Sequence, residues 1–246
     1  MRSSQWQIIL GAVLVALTAV VYVIHYLIFR DAHHIFIYLI GDIAFVFFEV
    51  LLVTLIIHRL LTEREKKSLL EKLNMVIGIF FSEAGTELLN FFSNSDPDLD
   101  NIRGELVVGK GWSERDFGKV SKKLRDYDYG VEIGRLGLDE LRQFLGLKRD
   151  FLLRLLENPN ILEHESFTGL LRAVFHLTEE LANRKDLKGL PDSDYQHLAG
   201  DVKRVYSRLV HEWLDYMKHL KNNYPYLFSL AMRTNPFDQE ASPIVK

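Results

Sequence analysis

The chain has 246 residues, 30 Lys and Arg against 33 Asp and Glu, a formal net charge of −3 and no cysteine. Without thiols there is no disulfide framework, thiolate metal site, cysteine nucleophile or thioester lipid anchor. The near balance of charge gives no electrostatic argument for nucleic acid as a partner. Mean hydropathy of +0.01 averages two unlike parts, a greasy N-terminal segment and a charged remainder long enough for one domain of ordinary size.

Two apolar runs open the chain. Residues 6–29 carry no formal charge, and residues 35–61 hold Asp42 and Glu49 in their interior. Each run exceeds the roughly 20 residues needed to span a bilayer. The first is too long for a signal-peptide core of about 7–15 residues, so a retained anchor is expected. Its small residues Ala16 and Ala19 are followed by further apolar sequence rather than by a polar mature chain. Basic residues set the orientation. Arg59, Arg64, Lys66 and Lys67 follow the second run, Arg2 precedes the first, and the 30–34 connection holds Arg30 beside Asp31. This bias places both termini in the cytoplasm of a plasma (inner) membrane, with the hairpin tip outside. Trp6 suits the inner interface, and Tyr22, Tyr26 and Tyr38 the outer one.

Asp42 and Glu49 stand seven residues apart, a rotation of only about 20° around a helix, so they share a face. Along the axis they are ~10 Å apart. Acids at membrane depth are functional candidates by default. Folding the hairpin about Ala32 brings Asp42 towards Tyr22 and His25 and leaves Glu49 with Thr18 as its nearest polar group. Protonated acids can hydrogen-bond a neighbouring helix and lock an oligomer. The other reading is a cation or proton pathway. Ala12, Ala16 and Ala19 add a small-residue stripe that lets helices approach closely. Two spans cannot enclose a pore alone, so a homo-oligomer is expected on either reading.

No Pro or Gly interrupts residues 42–77, and the second helix is expected to run on into a juxtamembrane helix over 62–95. Leu69, Leu73, Val76, Phe80, Phe81 and Phe91 belong to an apolar face too broad for a helix alone in water. It must pack on the remaining domain or receive a partner, and it is the candidate interaction face. Asn94, Ser95, Asp96 and Pro97 form a helix stop. A polar connection follows over 96–112, with a short strand expected at 105–108. A helical domain occupies 113–234, and a loose tail is expected over 235–246. Within the domain, Ser113 and Asp116 form a capping box. Helices are read over 138–157, 166–184 and 191–222, with a short apolar segment at 227–232.

Catalytic motifs are missing. Gly104, Gly109 and Lys110 match most of a phosphate-binding loop, but Gly111 stands where a magnesium-binding hydroxyl belongs, and no buried strand precedes it. No H-E-x-x-H, Glu-x-x-His or G-x-S-x-G occurs. On the 191–222 helix, His211, Asp215 and His219 have metal-ligand spacing, and His176 and Glu180 lie opposite their own helix's apolar face. Asp215 and His219 belong to a stripe with His197, Asp201, Arg204, Arg208 and Glu212, and His211 lies beside it; the alternating charge of that stripe has an ordinary solvation explanation. No metal, cofactor or nucleotide is therefore expected, and no enzymatic activity.

Residues 72–89, 163–181, 194–206 and 212–237 resemble a family of uncharacterised prokaryotic two-pass membrane proteins. The resemblance implies no activity and transfers no functional residue. Together these readings give a mostly α-helical protein, a two-helix transmembrane hairpin (1–61) continuing into a cytosolic bundle. Its expected role is that of a partner-binding, scaffold or signal-relay module, with the lipid bilayer, copies of itself and a cytosolic protein as partners.

Overall fold

The computed structural model of the chain describes residues 2–162 and 164–245, which form helices and connecting turns with no strand among them. The side chain of Arg2, used in the charge comparison, lies outside the described residues. The chain divides into two compact units, one up to Lys66 and one from Lys67 onward.

The first unit holds α1 (Arg2–Phe29) and the beginning of α2 (Ala32–Phe80). Between them Arg30 adopts a left-handed φ of 51°. Asp31 then caps α2, its carboxylate accepting from the His34 amide at 3.1 Å. The His25 and His34 rings, 6.2 Å apart, bring the facing helix ends together. Both helices are long and apolar enough to cross a membrane, and none of their apolar windows is buried within the chain.

In the second unit α2 continues to Phe80, passes through a π-helical turn (Phe81–Gly85) and becomes α3 (Thr86–Ser95). The π turn inserts an extra residue into the helical repeat. Phe80 and Phe81, neighbours in sequence, consequently both enter the core, at 0% and 3% exposure. The Thr86 amide and hydroxyl both donate to the Phe81 carbonyl, the hydroxyl at 2.9 Å, and so close the wider turn. Gly85 must lack a side chain, because a Cβ there would meet the Phe81 ring at 2.6 Å.

The helix stop at Asp96 and Pro97 acts as its residues suggest, with Asp96 extended after Ser95. The following connection departs from expectation. Instead of a strand at 105–108, α4 (Asp100–Leu106) forms. Leu99, Ile102 and Leu106 recur at helical spacing, Leu99 and Leu106 are fully enclosed, and Arg103 pairs with Asp100 at 2.9 Å. The first glycine of the supposed phosphate loop, Gly104, therefore lies within a short helix.

The capping box opens α5 (Glu114–Asp126), with Asp116 accepting from the Ser113 amide at 2.8 Å. The bundle is completed by α6 (Leu138–Leu156), α7 (Pro159–Leu162), α8 (Glu165–Asn183), α9 (Asp192–Asn223) and α10 (Pro225–Arg233). The inner stripe of α9 is buried at Leu198, Val202, Val205, Leu209, Trp213 and Leu220, against Phe167, Leu171 and Val174 of α8 and other residues of the same core. The apolar segment 227–232 lies in a separate helix, α10, that follows the break at Tyr224 and Pro225. One further expectation needs correction. The tail begins in the core rather than loose, because Asn235 and Phe237 are buried, Asn235 donates to the Leu106 carbonyl at 2.9 Å, and Phe237 meets Trp213 edge-on at 5.0 Å.

Candidate functional site

The residues singled out from sequence fall into different settings. Asp42 and Glu49 are exposed on α2, and among the described residues neither makes a hydrogen bond or ion pair. Tyr22 and His25 are half-buried, but the His25 ring contacts Phe29 at 4.9 Å as well as His34, while His34 leans on Tyr38 at 4.6 Å. The turn between α1 and α2 brings histidines near one another and, among the described residues, delivers no hydrogen bond to Asp42.

The apolar face is largely taken up by the second unit's own core. Leu73, Phe80 and Phe81 are buried, and Leu69, Val76 and Phe91 are half-buried. Phe80 meets Phe167 edge-on at 5.4 Å, Phe81 stacks on Tyr216 at 5.3 Å, and Phe91 packs against Phe144 at 5.8 Å. Core packing, the alternative to partner capture, accounts for it. Beside this seam Met75 and Ile79 remain exposed, in a groove of about 560 Å³ that α10 borders with Leu227 and Leu230.

His211, Asp215 and His219 do not share a centre. The His211 Nδ1 lies 2.7 Å from the Ser207 carbonyl and 3.5 Å from the Tyr129 hydroxyl. His219 contacts Asn223 at 3.2 Å and faces the Tyr224 ring. Burial lowers the His219 pKa from its ordinary value, with the Glu71 charge opposing that shift. Nor is the polar stripe of α9 a uniform solvated face, since Asp201 and Glu212 are 2% and 5% exposed. Burial raises the Glu212 pKa.

A different set of side chains converges between α8 and α9. His176 and Glu180 are separated by one turn of α8, and His197 and Asp201 by one turn of α9. The His176 Nε2 lies 3.5 Å from Asp201 Oδ2 and 3.8 Å from Glu180 Oε1. The His197 Nε2 lies 3.4 Å from Asp201 Oδ2 and 3.6 Å from Glu180 Oε2. Arginines hold the outer oxygen of each carboxylate. Arg184 bonds Glu180 Oε2 at 2.7 Å and grips Asp194 with two nitrogens, and Arg204 bonds Asp201 Oδ1 at 2.6 Å. The Arg184 contact holds the Glu180 carboxyl below its ordinary pKa. Asp201 Oδ2 is buried with no hydrogen-bond partner.

Sequence reasoning named all four of these residues and missed their union. The available signal was a repeated pattern, a histidine followed four residues later by an acid, on two consecutive helices.

A second polar cluster closes the end of α3. Tyr127 donates to Asp96 Oδ2 at 2.8 Å, and the Tyr129 ring lies edge-on to both Tyr127 and Tyr206. Burial is the main cause of the raised pKa values of Asp96, Tyr127, Tyr129 and Tyr206.

An N-terminal pair of long apolar helices and a compact helical domain define the class as an all-helical protein in two parts. The chain belongs to the MJ1433 family. Residues 2–61 match the family's N-terminal helical domain, and residues 69–233 match the C-terminal helical domain of the uncharacterized protein MJ1433. The chain is similar to that protein from Methanocaldococcus jannaschii, at 47% identity over 241 residues, covering 98% of this chain and 97% of the relative. No solved structure matches the chain.

Proposed function

We propose that the chain is a two-pass integral membrane protein of the plasma membrane, with both termini in the cytoplasm and a helical domain that acts as a non-catalytic signal-relay or scaffold module. One observation carries the membrane assignment. The apolar windows of α1 and α2 are wholly exposed within the chain, although the second unit covers its own core. An apolar surface of that extent in water would need a cover, and lipid supplies one. The relay reading rests on α2. It provides the second apolar span, and its buried residues Leu73, Ile77 and Phe80 belong to the domain core.

Partner capture by the 69–92 face loses its support, because that face packs inside the domain. Self-association through the membrane segment retains support from Asp42, Glu49 and the alanine stripe. Washing isolated membranes with alkaline carbonate tests the assignment. The chain should stay with the lipid pellet, and release into the wash would overturn the proposal. Crosslinking in mild detergent should then recover homo-oligomers, and a chain that remains monomeric would count against the assembly.

The same acids support a second reading, an oligomeric cation or proton pathway. Their exposure without a partner on one face of α2 is the observation in its favour.

A further inference from the structure

We infer that His176, Glu180 and Asp201, with His197, form a binding site for one divalent transition-metal ion of the zinc class. Ligand atoms of the first three residues all lie within 4.8 Å of one another. Metal bonds of about 2.0–2.2 Å place the ligands of a four-coordinate ion roughly 3.3–3.6 Å apart. The four histidine–carboxylate separations run from 3.4 to 3.8 Å. They are longer than ordinary hydrogen bonds; the two to Asp201 Oδ2, 3.5 and 3.4 Å, fall within the edges of such a shell, and the 3.8 Å from His176 to Glu180 Oε1 is slightly wider. The His197 side chain is half exposed, and its Nε2, 3.4 Å from Asp201 Oδ2, is the nearest further donor and serves as the fourth ligand.

Asp201 is the independent sign. Its side chain is 2% exposed, yet Oδ2 has no hydrogen-bond partner and points to the two imidazoles. A buried carboxylate oxygen left unpaired is costly, and a cation provides the missing partner. The arginines fit this role. Arg204 takes only Oδ1 of Asp201, and Arg184 takes only Oε2 of Glu180. Asp201 is thereby oriented through Oδ1 and presents Oδ2 to both imidazoles, and Glu180 is oriented through Oε2 and presents Oε1 to His176; such arginines act as the outer-shell partners that orient metal ligands. The donor set of imidazole nitrogen and carboxylate oxygen suits zinc and its neighbours better than calcium or magnesium, which prefer oxygen alone. The site draws on the helical domain only and is independent of the membrane reading.

The test uses the full chain, purified in mild detergent without a polyhistidine tag and stripped with chelator. Zn²⁺ is added in a calorimeter, and Co²⁺ is followed by its visible absorption. One Zn²⁺ should bind per chain, Co²⁺ should give the intense bands of a low-coordinate site, and the thermal midpoint should rise with Zn²⁺. His176→Ala and Asp201→Asn should each weaken Zn²⁺ binding by at least about tenfold, whereas His211→Ala and His219→Ala should leave it unchanged. His176 is half exposed, so its variant keeps the fold and decides the matter even if Asp201→Asn does not fold. The proposal is overturned by absent stoichiometric binding, by affinity that survives His176→Ala, or by affinity lost with His211 or His219 instead.

Discussion

The hydroxyl of Tyr127 donates to the Asp96 carboxylate at 2.8 Å, tying the residue that ends α3 to the segment that follows α5. Asp96 is 6% exposed and also accepts from the Asp98 amide at 3.0 Å. A hydrogen bond to a charged group contributes about 1.5–3 kcal/mol. Tyr127→Phe should therefore lower the stability of the chain by about that amount, read as a reduced thermal midpoint in detergent. An unchanged midpoint would remove the tie from the list of features that hold the connection in place.

The same carboxylate sets a pH dependence. Burial raises its pKa, and the bonds from Tyr127 and Asp98 offset only part of that shift. With the folded pKa above the unfolded one, the group contributes stability below the unfolded value, about 3.9, and loses it as pH rises through the folded value. Asp96→Asn has no such titration. Its destabilisation relative to the parent should shrink between about pH 4 and pH 8. Thermal midpoints measured across that range test the sign, and a widening gap would contradict it.

Gly85 is predicted to resist substitution. Within a regular helix Ala is better than Gly by about 1 kcal/mol, but here the added Cβ would strike the buried rings of Phe80 and Phe81. Overpacking typically costs about 1–3 kcal/mol. Gly85→Ala should come out destabilised and should disturb the Phe81–Tyr216 stack, visible as a changed near-ultraviolet circular dichroism signal. A more stable variant with an intact aromatic signal would mean that the π turn can be replaced by ordinary helix.

Phe237 anchors the chain end. It is fully buried against Trp213, so Phe237→Ala should cost about 3–5 kcal/mol. Truncation after Asp238 should be nearly neutral, and truncation after Thr234 should be as damaging as the point variant. Equal stability of the two truncated chains would restore the loose tail expected from composition.

How far the sequence could be read depended on the range of the signal. The long apolar runs, the inner stripe of α9, the Ser113–Asp116 cap and the stop at Pro97 are local patterns, and each appears where its residues place it. The departures are tertiary. Leu99, Ile102 and Leu106 make a helix because the core accepts that face, and Asn235 and Phe237 are held by Leu106 and Trp213, more than twenty positions away in sequence. The α8–α9 cluster was hidden for the same reason. Each helix contributes one histidine and one acid to it, and only their packing makes four ligands of them.

Glu49→Gln separates the two membrane readings. If the acids hold an oligomer together, the variant should crosslink less than the parent, and proteoliposomes of the parent should show no cation or proton flux. Flux in the parent that disappears in a fully assembled variant would favour the pathway.

The orientation of the hairpin tests the central claim most directly, and the absence of native cysteine makes the measurement clean. Ala32→Cys places a single thiol at the tip, and Ser242→Cys places one near the C-terminus. With a membrane-impermeant maleimide on intact cells, the tip thiol should be labelled at once and the C-terminal thiol only after permeabilisation. Labelling of Ser242→Cys in intact cells, or of neither thiol until the membrane is opened, would contradict a two-pass protein with a cytoplasmic helical domain.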